Sequence, residues 1–187
     1  MFSIETLIII FFILALLVSY TFVLYPLVLR LFSKIIKRKP IKKETITPFV
    51  SLVIPAYNEE KAIAHKMDNV LSLDYPKDQL EIVVVSDCSD DKTDDIVKEY
   101  QGKGIRLHRL KQRGGKIAGY CDVLPTLKGE IVVFSDATGQ LAPRSLIELV
   151  KSFADERVGC VGGRLTYIDH EEEGVSEGEQ TYWSYET

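Results

Sequence analysis

Between Leu7 and Phe32 the chain runs for 26 residues with a single charge, Arg30. A helix needs about 20 mainly apolar residues to cross the hydrocarbon core of a bilayer, so this run is long enough to span. A secretory signal has a shorter apolar core behind a basic start. Here the only charge ahead of the run is Glu5, and Ser19-Tyr20 offers no clear small-x-small cleavage pattern. A retained transmembrane anchor over residues 1–33 is therefore expected, with a signal peptide and a buried core helix as the alternatives. Pro26 lies inside the run and is expected to kink the helix, which membrane spans tolerate.

Charge sets the expected orientation. The chain carries a net −4, unevenly spread: residues 1–43 hold +6 and the remainder −10. Arg30, Lys34, Lys37, Arg38, Lys39, Lys42 and Lys43 all follow the apolar run. Basic flanks stay on the cytoplasmic side, so the chain is expected in a cell (inner) membrane as a single-pass protein with its main domain in the cytoplasm. Residues 34–47 read as a basic linker, and Pro40 to Pro48 as the linker stretch that leads into the first strand. Near anionic lipid headgroups, each basic residue contributes about 1 kcal/mol. The acidic remainder excludes sequence-independent nucleic-acid binding, which requires a basic surface. Cys88, Cys121 and Cys160 are scattered, with no C-x-x-C pair; they are expected to be small buried hydrophobes rather than a zinc or redox site.

Beyond residue 48, apolar strand-like runs alternate with amphipathic ones. Phe49 to Ile54, Glu81 to Val85, Ile105 to Leu110, Glu130 to Phe134 and Val158 to Tyr167 read as strands, the first stopped by Pro55. Lys61 to Leu73, Asp91 to Tyr100, Lys116 to Leu127 and Pro143 to Phe153 read as helices, the last starting near Ala142-Pro143. Such alternation predicts an α/β domain with a mostly parallel sheet covered by helices. Near-continuous apolar strands agree, since both faces of such a sheet are buried.

In parallel sheets, ligands bind beyond the carboxyl ends of the strands. Three of those ends carry acids: Glu59-Glu60 after the first strand, Asp87 after the second, and Asp136 after Phe134. Arg113-Gly114-Gly115-Lys116 opens the intervening helix. Each acid alone also suits helix capping, as does Ser89. Gathered at one sheet edge, acids repel unless a cation or polar ligand joins them, which points to a site. The Gly-Gly-Lys turn lacks the spacing and hydroxyl of a phosphate-binding loop, and no glycine follows the first strand as a dinucleotide fingerprint requires. His65 and His108 stand alone.

These segments resemble family 2 glycosyltransferases of the GT-A (Rossmann-like) fold. Val50 to Glu60 is similar to that family's opening strand and turn. Val85-Ser86-Asp87-Cys88-Ser89-Asp90-Asp91-Lys92-Thr93 is similar to its V-S-D-G-S-x-D-x-T segment, Arg113 to Lys116 to its R-x-G-K segment, and Ser135-Asp136-Ala137-Thr138 to its D-x-D-type metal motif. The resemblance covers residues 48–187. It implies an inverting transferase that moves sugar from a nucleotide-sugar donor, usually a UDP-sugar, to a polysaccharide or lipid acceptor. Pro55, Ala56, Tyr57, Asn58, Glu59 and Asp87 would take base and ribose. Arg113 and Lys116 would face the diphosphate, beside Ser135. Asp136, with Thr138, would hold Mg²⁺ or Mn²⁺.

Two positions depart from the family pattern. Thr138 stands where many members have Asp, which is expected to weaken metal binding, and Cys88 stands where Gly is usual, which is expected to alter the turn. The family's later acidic base segment does not occur before Thr187. Asp169 and Glu171 to Glu173 read as a solvated acidic loop, and Gln180 to Glu186 resembles the start of a following helix. The chain is thus expected to end inside the catalytic domain, and a C-terminal partner segment would complete it. The alternatives are a nucleotide-sugar-binding fragment or subunit without transfer of its own, and a structural membrane protein whose α/β domain docks partners.

Overall fold

A computed structural model describes residues 3–35 and 39–164. Lys37, Arg38, the end of the strand expected at Val158 to Tyr167, the acidic loop and the Gln180-to-Glu186 segment lie outside the described residues. The chain divides into two compact units, residues 1–40 and 41–187.

The first unit is one apolar helix, Ile4–Ile35, long enough to cross a membrane. It comprises α1 (Ile4–Ser19), a π turn (Tyr20–Leu24) and α2 (Tyr25–Ile35). Ser3 caps α1, its hydroxyl accepting from the Thr6 amide. The π turn sits just ahead of Pro26, and the Tyr25 amide donates to the Tyr20 carbonyl five residues back. Proline cannot donate to the carbonyl four residues behind it, and a widened turn is one way a helix absorbs that loss.

The second unit is a four-stranded, fully parallel sheet in the order β3-β2-β1-β4, with β1 Val50–Ala56, β2 Leu80–Ser86, β3 Ile105–Arg109 and β4 Ile131–Phe134. On one face lie α3 (Ile63–Leu71), α4 (Thr93–Glu99) and α6 (Ser145–Val150); their Ile63, Met67, Val70, Val97, Leu146 and Val150 pack against Leu52, Ile54, Ile82 and Val84. On the other face α5 (Gly115–Val123) sets Val123 and half-buried Tyr120 against Val53, Val83 and Val85. Alternate strand residues thus feed two separate cores, as a period of two requires.

Several expectations are corrected. Pro55 does not stop β1, which runs on to Ala56. The β4 ladder ends at Val53↔Phe134, so proline's missing N–H breaks no pairing on that side. Residues 158–164 form no strand; Gly159, Gly162 and Gly163 lack the side chains that hold a strand to a sheet. Cys121 and Cys160 are exposed and Cys88 is half-buried. Residues 41–49 have no helix or strand before Val50, yet they run along their own unit. The Lys42 amide donates to Asp155, the Glu44 amide to the Lys151 carbonyl, and the Tyr75 hydroxyl to the Pro48 carbonyl. Arg157 and the Lys42 amide hold the Asp155 carboxyl well below the usual carboxylate range.

Candidate functional site

The carboxyl ends of β1, β2 and β4 open into one cleft of about 290 Å³, lined by Pro55, Ala56, Tyr57, Glu59, Asp87, Lys116, Asp136, Ala137 and Thr138. The three acid-bearing strand ends therefore meet at one sheet edge. Parallel register is the cause: Ala56 lies level with Ser86, and Val53 with Phe134, so the residues that follow emerge side by side.

The turns after β1 and β2 are joined to each other. The Asn58 amide donates to Ser89 Oγ at 3.2 Å, and the Asp90 amide returns to Asn58 Oδ1 at 3.0 Å. The Glu59 amide donates to Thr93 Oγ1 at 2.8 Å, the Glu60 amide to Asp91 Oδ2 at 3.0 Å, and the Lys92 amide to Glu60 Oε2 at 3.3 Å. Asn58 and Cys88 have φ of 54° and 59°. Asn tolerates this left-handed region; at Cys88 it costs about 1 kcal/mol. That explains why glycine suits position 88. The Cys88 Sγ donates to the Leu110 carbonyl.

Asp87 has a role that sequence alone does not reveal. Its two oxygens accept from the amides of Gly114 (2.7 Å) and Gly115 (2.9 Å), at the start of α5. Gly115 has φ of 80°, and a Cβ on Gly114 would lie 2.7 Å from that of Ala118. The glycine pair therefore lets the backbone approach the carboxylate. Asp87 fixes the α5 turn, and α5 in turn aims Lys116 into the cleft. Arg113, one residue before the pair, stacks its guanidinium 3.9 Å over the Tyr57 ring, a cation–π contact that fixes both side chains.

The β4 end is open by comparison. Asp136 is 65% exposed, and its partner is the Lys116 ammonium, whose pKa this contact raises. Asp136 and Thr138 are exposed and line the cleft on either side of buried Ala137. Ser135 instead accepts from Lys66 Nζ at 2.7 Å. Among the described residues no group of three or more His, Cys, Asp or Glu is placed to hold a metal ion. One exposed carboxylate and a neighbouring hydroxyl still fit a hard divalent ion that takes its remaining oxygens from a bound diphosphate, the usual state of protein-bound Mg²⁺. The donor set is all oxygen, which suits Mg²⁺ or Mn²⁺.

Of the expected site residues, the cleft brings together Pro55, Ala56, Tyr57, Glu59, Asp87, Lys116, Asp136 and Thr138. Asn58, Arg113 and Ser135 are not among its lining residues: exposed Asn58 bonds the β2 turn, exposed Arg113 stacks on Tyr57, and Ser135 accepts from Lys66. Lys66, buried under the Ser135–Gly139 turn, was not singled out by sequence, although a lysine in the stripe of Ile63, Met67 and Val70 is a visible anomaly.

The model of the family described as glycosyl transferase family 2 matches residues 51–186. A beta-monoglucosyldiacylglycerol synthase of Trichormus variabilis is 35% identical over 141 residues, covering 73% of this chain and 30% of the relative. The chain thus spans less than a third of that relative's length. Among solved structures, the mannosyltransferase PcManGT of Pyrobaculum calidifontis, in complex with GDP-Man and Mn²⁺, superposes with a TM-score of 0.70 at 32% identity, covering 80% of this chain and 47% of that one. TarS 1-349 of S. aureus in complex with UDP-GlcNAc gives a TM-score of 0.50 at 33% identity, covering 52% of this chain and 28% of that one.

Proposed function

The chain belongs to glycosyl transferase family 2, and from that premise we propose that its α/β unit binds the nucleotide-sugar donor of an inverting, membrane-anchored glycosyltransferase. The observation that carries this is the single cleft shared by Asp87, Lys116, Asp136 and Thr138 at the ends of three parallel strands. Solved relatives at 32% and 33% identity hold GDP-Man with Mn²⁺ and UDP-GlcNAc.

The base and ribose lie against Pro55 to Glu59 and Asp87, the rigid wall. Lys116 faces the diphosphate, where a fixed cation offsets charge. Asp136, with Thr138, holds a divalent metal, which when bound supplies Lewis-acid stabilisation to the departing nucleoside diphosphate. Lys116 screens the Asp136 charge in the ligand-free protein and turns to phosphate oxygen when donor is present. In the transfer, an acceptor hydroxyl forms the new bond to the anomeric carbon as the bond to the diphosphate breaks, and a carboxylate base takes the hydroxyl proton. The acceptor is a lipid or polysaccharide. Ile4–Ile35 anchors the unit in the membrane with the cleft on the cytoplasmic side, a reading the basic flank supports.

Calorimetric titration of the detergent-solubilised chain with UDP and with GDP, each with and without Mn²⁺, tests this. Metal-dependent binding of one nucleotide is expected, and it identifies the base. Absence of binding under all four conditions would overturn the assignment of the cleft.

A further inference from the structure

Lys66 is 2% exposed, inside the apolar stripe of α3. Burying an ammonium is costly unless it is well bonded, and a methionine or leucine would fill the same space without that cost. Its Nζ donates to Ser135 Oγ and to the Gly139 carbonyl. These two acceptors flank the turn that carries Asp136 and Thr138. One helical step on, Asn69 grips the same loop further along. Its Nδ2 donates to the Leu141 carbonyl and its Oδ1 accepts from the Leu141 amide, both at 2.9 Å. The Asp74 amide then donates to the Pro143 carbonyl at 2.8 Å. Besides the packing of Ala137 and Leu141 against the core, the loop is thus fastened to Lys66 and Asn69 of α3 and to Asp74 just beyond it.

We propose that Lys66 is a positioning residue for metal: it closes the Ser135–Gly139 turn so that Asp136 and Thr138 face the cleft together, and Asn69 holds the arm beyond it. This rests on the donor-site assignment above. With few protein ligands available, affinity depends on how well the two are placed before the ion arrives, because ordering a loose loop would consume binding free energy. Burial pushes the Lys66 ammonium down to about 8, against the pull of nearby Asp136. The cation is thus retained at a site that disfavours it, in keeping with a specific partner rather than with packing.

The test compares the wild type with Lys66→Met in the full chain, measuring UDP and GDP affinity with and without Mn²⁺ and the direct binding of Mn²⁺ by its electron spin resonance signal. Outer-sphere positioning groups typically change metal affinity about 10–100-fold. Lys66→Met is expected to weaken Mn²⁺ binding and the Mn²⁺-dependent gain in nucleotide affinity by that factor, while metal-free nucleotide affinity stays within about twofold. An unchanged metal response in a folded variant, or an equal loss with and without metal, would overturn the proposal. If Lys66→Met does not fold, Asn69→Ala decides: a selective loss of the Mn²⁺ response supports the positioning role, and an unchanged response refutes it. Failure of the wild type to bind nucleotide under any condition refutes the donor site itself and shows before any variant is made.

Discussion

The two walls of the cleft are built on different plans. On the β2 side Asp87 is 9% exposed and both its oxygens are taken by backbone amides. The turns around it are zipped together by side chain–backbone bonds. On the β4 side Asp136 is mostly exposed, its partner a mobile-stemmed lysine at 52% exposure. The first wall is complete without ligand; the second is fastened from behind, through Lys66 and Asn69, and leaves its carboxylate outward. A rigid wall suits a flat base and ribose, which a preformed surface can select. An outward carboxylate suits a metal that arrives and leaves with the diphosphate.

The contrast can be broken most forcefully at Asp87. Asp87→Ala leaves two amides of the Gly114–Gly115 turn without their charged acceptor, and losing such bonds costs about 3 kcal/mol. Urea denaturation should show a drop of that order, and nucleotide affinity should fall equally with and without Mn²⁺. A loss confined to the metal-dependent part would mean that the two walls are not separate devices. Asp136→Ala comes next. Removing the exposed carboxylate should leave stability within about 0.5 kcal/mol and abolish a metal-dependent gain of about 10–100-fold, the range of one to two charge-assisted contacts. Retention of the Mn²⁺ effect in calorimetry would move the metal elsewhere.

The smallest effect sharpens the comparison through pH. Lys66 has its folded pKa near 8, below the 10.5 of an ordinary lysine. Between those values the unfolded chain binds more protons than the folded one, so this group adds stability as pH rises from about 8 toward 10.5 and detracts from it below 8. Wild type minus Lys66→Met should therefore gain about 1 kcal/mol over the first pH unit above 8. A flat difference would place the Lys66 ammonium in solvent-like surroundings.

What could be read from sequence was whatever follows from local pattern. β-branched runs gave β1 to β4 to within a residue or two at each end, and acids placed directly after those runs marked the cleft. Lys66 escaped because its charge reads as solvent-facing although its spacing from Ile63, Met67 and Val70 puts it on the apolar face, and only a loop some 70 positions later supplies its acceptors. The bonds of Asp87 escaped for the same reason: its partners Gly114 and Gly115 come near only when β2 and α5 are assembled. The strand expected over Val158 to Tyr167 meets three glycines, Gly159, Gly162 and Gly163, in its described part.

The central place of β1 in the sheet carries a kinetic consequence. Val50 pairs with Leu80 on one side and with Ile131 on the other. The second contact closes a loop nearly three times as long, at an added chain-entropy cost of about 1 kcal/mol, and long-range parallel pairing is slow to form. As the polypeptide leaves the ribosome, β1, β2 and β3 can assemble while β4 is still being synthesised. The Asp87 wall can therefore mature first, and the Asp136 wall is added to a scaffold already in place.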